Sequence, residues 1–195
     1  MNTFSTVTGL IELPYRLRFS DRRLYAYVTL FVALAVSIPW ACHMIHPGAG
    51  PTVLPLFFFV LLSGAFLGWR AGLLVGLTTP LISYGLSGMP VVQIMPSIMS
   101  QTVVYGLAAG LLYRQLRCGL FISLVGANIA GRLAAFFLMA HLADLEYSTQ
   151  LAWTTLQTGW PGIILQLLLL PPLVLFLEKA YSRYPYDRKD SQIRL

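Results

Sequence analysis

The stretch from Leu120 to Ala140 is apolar and long enough to cross a bilayer as one helix, and it carries a single full charge, Arg132. An ionised side chain inside a membrane span is costly. Such residues face the protein interior or a watery cavity, or else snorkel to the surface along their stems. At 1.5 Å rise per residue, Arg132 lies roughly 13 Å below the outer end of its helix, more than its side chain comfortably spans. We therefore read Arg132 as a buried functional residue in preference to a snorkelling or purely structural one, with Asn128 one turn before it.

The rest of the chain fits the same medium. Only 10% of its residues are charged, where a soluble domain of this size carries about 25%. The net charge of +6 does not point to nucleic acid, because its distribution is segregated. Apart from Arg132, the basic residues form four groups: Arg16 to Arg23, Arg70, Arg114 with Arg117, and Lys179 to Arg194. The connections between them contain no Lys or Arg, which is the positive-inside pattern. The sequence predicts an all-α membrane protein of six transmembrane helices with both termini cytoplasmic. Residues 1–23 form a cytoplasmic segment, 24–178 the six-helix domain and 179–195 a basic cytoplasmic tail. The N-terminal region has no apolar core for a cleavable signal peptide, so the first helix is expected to serve as an uncleaved insertion signal. Cys42 and Cys118 fall at opposite faces of the membrane in this layout, too far apart to be bridged.

The first helix is expected from Leu24 to Ala41. Along it Thr29, Ala33 and Ser37 recur every fourth residue, a small-residue stripe that suits close approach of another helix. Spacing alone leaves open whether that helix is a partner's or one of the chain's own. The following connection, CHMIHPGAGPT, holds His43 and His46, but Pro47 and Gly48 break any helix that would pair them. With no third ligand, no metal site is expected. A second helix over 53–67 and a third over 71–86 meet in a tight turn at Gly68, with Gly64, Gly68, Gly72 and Gly76 spaced for close packing.

The fourth helix, expected over 93–113, carries the polar stripe Gln93, Ser97, Gln101 and Tyr105. Polar side chains in a span face partners rather than lipid, so the stripe is either interhelical glue or the wall of a site, and we favour the site. Met89 lies at its outer end, and methionine adapts well to an apolar guest. After the fifth helix, a long outer connection over 141–157 and a sixth helix over 158–177 are expected. Trp153 and Trp160 are interfacial belt residues by default, or a lid above Arg132. Ligand-binding residues are thus expected in the outer halves of the last three helices.

Several chemistries lack their residues. There is no GxxxxGK[ST] phosphate loop for ATP hydrolysis. There is no GxSG serine with an intramembrane histidine, and no pair of intramembrane carboxylates. The chain does not read as an enzyme and implies no cofactor.

The segment GAFLGWRAGLLVGLTTPLISYGLSGMP, followed by PSIMSQTVVYGLAAGLLYR and ANIAGRLAAFF, resembles the substrate-binding S components of energy-coupling factor (ECF) vitamin transporters. The likeness runs from about Leu54 to Ala140. It implies a multi-pass protein of the bacterial cytoplasmic (inner) membrane that binds a vitamin-like small molecule with high affinity at its outer face. It implies docking on a membrane T component driven by two cytoplasmic ATPases. Members of the family meet the T component through an AxxxA motif in helix 1, for which Thr29-xxx-Ala33 or Ala33-xxx-Ser37 is the nearest equivalent here. The acidic residue that often precedes the YGL motif is Gln101. A structural or interaction protein of the bacterial envelope with six helices, such as the rod-shape factor MreD, is the alternative, and it would have no small-molecule ligand. A buried arginine favours a carboxylate or phosphate on the ligand, and the methionines and aromatics around it favour an apolar body.

Overall fold

A computed structural model describes residues 18–45 and 55–182. The described residues form six α-helices and no strand: α1 (Arg22–Ile45), α2 (Pro55–Leu67), α3 (Trp69–Ser87), α4 (Met95–Gly110), α5 (Leu120–Leu142) and α6 (Leu145–Ser182). Four of them are long and apolar enough to cross a membrane: α1, α4 with its flanking turns, α5 and α6. α2 has 13 apolar residues, about 20 Å of helix, and α3 is 19 residues long with Pro80 inside it. The architecture is all-helical as expected, with four helices rather than six of clear spanning length. The N-terminal segment up to residue 17, the tail beyond residue 182 and the connection bearing His46, with the His43 side chain, lie outside the described residues.

α4 is the central element and packs on α2, α3 and α5. Glycine makes that possible. A Cβ on Gly64 or Gly72 would run into the backbone of Gly106, and one on Gly76 into the backbone of Thr102. Helices in lipid associate through van der Waals contact and interhelical hydrogen bonds, and small residues let the backbones meet. The Thr102 hydroxyl uses this proximity, donating to the Gly76 carbonyl across the interface at 2.7 Å. α2 and α3 are joined by one residue, Gly68, at φ 90° and ψ 172°, a conformation that a side chain would disfavour. α3 stops at Gly88, also at positive φ, whose N–H returns to the Tyr84 carbonyl as in a typical glycine C-cap.

α1 packs on α2 and α3 through Leu24, Val28, Phe31, Val32 and Ala35, all buried. Thr29, Ala33 and Ser37 are exposed on its other side. The small-residue stripe is therefore not used within this bundle.

Two sequence expectations are corrected. The outer connection expected over 141–157 is helical, and only Ala143 and Asp144 separate α5 from α6. Asp144 caps the new helix: its carboxylate accepts the Tyr147 N–H at 2.6 Å, and Glu146 follows in the first turn. Both are ordinary helix-start features. In the polar run after them Thr149, Gln150, Thr154 and Thr155 interrupt the apolar pattern, yet the threonine hydroxyls bond back to carbonyls of their own helix. The second correction is at the start of α4, where Val92–Ile94 form a 3-10 turn before the α-helix begins at Met95.

The end of the bundle that gathers the basic residues is tied together. Phe19, just before α1, packs edge-on against Trp69 at 6.0 Å, and the Arg70 guanidinium lies 4.8 Å from the Trp69 ring. Past Gly110 the helix widens into a π turn over Leu111–Gln115, which carries Arg114. Its Nε and Nη2 donate to the carbonyls of Ala65 and Phe66 at 2.7 and 2.9 Å, and Nη2 meets Glu178 of α6 at 2.7 Å. The last carbonyls of a helix have no partner within it, and here one guanidinium supplies two of those missing donors for α2. The start of α1, the α2–α3 turn, the end of α4 and the end of α6 thus share one end of the bundle.

Candidate functional site

At the opposite end, a cavity of about 660 Å³ is bounded by all six helices, within the range of small-molecule sites. Its depth is set by two helices running past each other. From α4 it is lined by Ser97, Ile98 and Gln101, with Ile94 of the preceding 3-10 turn above them, and from α5 by Arg132, Ala135, Phe136 and Met139. The α5 set has the i, i+3, i+4, i+7 spacing of one helix face over two turns, about 10 Å of axis. Gln101 and Arg132 form the floor. Trp40 of α1, Phe57 of α2 and Met89 with Pro90 of the α3–α4 connection close the sides and mouth.

The floor is built by close packing. A Cβ on Gly131 would fall on the Tyr105 ring and near the Gln101 carbonyl, so α5 meets α4 through bare backbone one residue before Arg132. The Tyr105 ring also packs edge-on against Phe57, centroids 5.3 Å apart. Its buried hydroxyl accepts a hydrogen bond from Gln101 Nε2 at 2.8 Å and lies against the Arg132 guanidinium. Arg132 Nε is itself buried without an acceptor. Four of the hydroxyl side chains in the wall, those of Ser87, Ser148, Thr155 and Thr158, donate to carbonyls of their own helices. They add little polarity to the wall. Ser83 and Ser97 are the other two hydroxyls of the described lining, and the one charged donor there, Arg132, is at the floor.

The nine residues that the sequence nominates for ligand binding separate into three sets. Arg132, Gln101, Ser97 and Met89 line the cavity, and Tyr105 stands behind Gln101 and Arg132. Asn128 is buried outside the lining, its Nδ2 donating to the Leu124 carbonyl at 3.1 Å and its Oδ1 unpaired. Gln93, Trp153 and Trp160 are exposed and outside the lining. Gln93 belongs to the 3-10 turn, where three residues per turn replace 3.6, and so leaves the stripe it shares on paper. Sequence reasoning missed the wall supplied by Phe57, Phe136, Met139 and Ser148. Phe136 and Met139 carried a usable signal, since they stand four and seven residues after Arg132.

Among the described residues no cluster of three or more His, Cys, Asp or Glu could hold a metal ion. Arg132 is the one ionisable side chain among the described lining residues. A buried guanidinium with a tyrosine hydroxyl beside it, under apolar walls, can hold an electron-rich group of a small molecule, and it carries no nucleophile–base pair.

No curated protein and no solved structure matches the chain. The family model for the substrate-specific component of ECF transporters matches residues 23–174, which reaches into every helix and takes in all the described cavity-lining residues. The chain therefore belongs to the substrate-specific components of ECF transporters, multi-pass membrane subunits that bind a small molecule for transport and are not enzymes.

Proposed function

We propose that the chain is the high-affinity binding subunit for uptake of a vitamin or related small molecule, which it takes from the outer face of the bacterial cytoplasmic membrane. The cavity at the less basic end of the bundle, with Arg132 on its floor, is the observation that carries this reading. Arg132 anchors an anionic group of the ligand, Tyr105 and Gln101 support it, and the apolar walls take the remainder. The positive-inside rule puts the end bearing Arg70, Arg114 and Lys179 in the cytoplasm, and both termini with it. There the subunit docks on a T component driven by two ATPases, and the exposed Thr29, Ala33 and Ser37 face of α1 is the surface offered to that partner.

The direct test is titration of the molecule that co-purifies with the protein, identified by native mass spectrometry, against wild type and Arg132→Ala. Losing one partner of a buried, hydrogen-bonded charge pair costs about 2–5 kcal/mol of binding. Arg132→Lys recovers only part of it, because lysine lacks the planar two-pronged donor set. A folded Arg132→Ala protein that binds as tightly as wild type would show that Arg132 is not the anchor.

A further inference from the structure

We infer that the cavity takes an elongated organic monocarboxylate, carboxylate down on Arg132 and apolar body toward the mouth, in preference to a phosphorylated, neutral or cationic ligand. This rests on the binding-subunit reading above and narrows it by charge.

Among the described lining residues there is one cation and no anion. One guanidinium balances one negative charge. A dianion would bring a second charge out of water with nothing to meet it, and a cation would meet only Arg132, a like charge.

Donor geometry points the same way. Tyr105 stands behind the floor, outside the lining, where its oxygen takes up Gln101 Nε2. The Arg132 guanidinium is the one charged donor among the described lining residues, and arginine has only donors. A carboxylate meets a guanidinium in a paired, bidentate fit. Phosphate commonly binds at a helix N-terminus, where backbone N–H groups are unused. Gln101 and Arg132 instead sit in the interiors of α4 and α5, where those groups are already taken.

Body shape follows from the walls. The lined face of α5 runs two turns, about 10 Å, and passes from Arg132 through Ala135 and Phe136 to Met139. Because four wall hydroxyls are used within their own helices, the upper cavity offers mainly methyl, ring and thioether surface. A chain or small ring system of modest polarity suits it.

The experiment uses the full chain in mild detergent and six probes. Lipoate and biotin are the monocarboxylates, their primary amides the neutral isosteres, and riboflavin 5′-phosphate and thiamin the dianion and the cation. Native mass spectrometry of retained and added molecules is read beside a melting curve. The expected result is that a monocarboxylate, among the probes or co-purified, binds at least about 30-fold more tightly than its amide, the low end of the loss for an unpaired buried charge. Arg132→Gln should erase that preference and Arg132→Lys keep part of it. If Arg132→Gln does not fold, the acid-to-amide ratio on wild type decides alone. An amide held as tightly as its acid, tightest binding of the phosphate or thiamin, or a co-purified molecule that is not a monocarboxylate would overturn the inference while leaving the binding-subunit reading intact. If no probe binds and no organic molecule co-purifies, both readings fall together.

Discussion

The ring of Tyr105 occupies the space that a Cβ on Gly131 would need. That contact links the packing of the bundle to the candidate site, because the residues on either side of it, Gln101 and Arg132, form the cavity floor. Close approach of α4 and α5 is thus both a fold feature and the device that sets the height of the arginine. The same economy of side-chain volume recurs along α4, at Gly106 against Gly72 and at Gly110 against the backbone of Trp69.

Gly106→Ala tests that packing away from the cavity. The added methyl has only the Gly72 backbone to meet, and backbone cannot rotate aside as a side chain can. Forcing the helices apart should cost roughly 3 kcal/mol, the upper part of the usual overpacking range, and should also weaken the Thr102–Gly76 hydrogen bond. A detergent melting curve for Gly106→Ala that overlays wild type would refute the close approach.

The Arg114 cluster gives a graded prediction at the other end. Arg114→Ala removes two donors to α2 carbonyls and the Glu178 partner together. Glu178→Ala removes the ion pair and the Tyr113 bond but leaves Arg114 its two carbonyls. Breaking a largely buried pair costs about 3–5 kcal/mol, so Arg114→Ala should reach that range and Glu178→Ala should fall short of it. The order of the two melting temperatures is the measurement, and the reverse order would refute the assignment.

Legibility from sequence followed the range of the signal. Apolar runs, the Gly68 turn and the paired glycines are local patterns, and the helices they imply are present. Arg132 and Gln101 could be brought together on paper because both sit at helical spacing on expected spans. Arg114 and Glu178 are 64 residues apart, and nothing near either one announces the other. The start of α6 is hard to see in the sequence because its threonine-rich turns look like loop, whereas in the fold their hydroxyls bond within the helix. The Asp144 cap was the signal to weigh against them.

Topology is tested by reporter fusions. Met89 and Asp144 lie in the two short connections at the cavity end, and the end of α6 lies with Arg70 and Arg114. Fusions at Met89 and Asp144 should report the outside and one at Leu195 the cytoplasm. A cytoplasmic signal at Met89 or Asp144 would invert the arrangement and with it the side from which ligand is taken.

Tyr105 and Gly131 allow the two jobs of their contact to be separated. Tyr105→Phe keeps the ring that packs on Gly131 and Phe57 and removes only the hydroxyl. That leaves Gln101 Nε2 without its partner, a loss of about 1 kcal/mol in stability, as for a neutral hydrogen bond. Ligand affinity should drop by no more than a similar amount, roughly fivefold, since Tyr105 stands behind the lining and acts on the ligand only by holding Gln101 and Arg132. Gly131→Ala acts the other way: the hydroxyl remains, but the new methyl pushes against a ring held by Phe57 and against the Gln101 backbone. Overpacking of this kind costs about 1–3 kcal/mol, and it should move Arg132 relative to Gln101, so melting temperature and affinity fall together. Melting curves and titrations of the co-purified ligand on the two variants decide between the roles. If Tyr105→Phe binds as tightly as wild type while Gly131→Ala loses binding, Tyr105 serves the site only by its ring. If neither variant changes affinity, the contact does not set the position of Arg132.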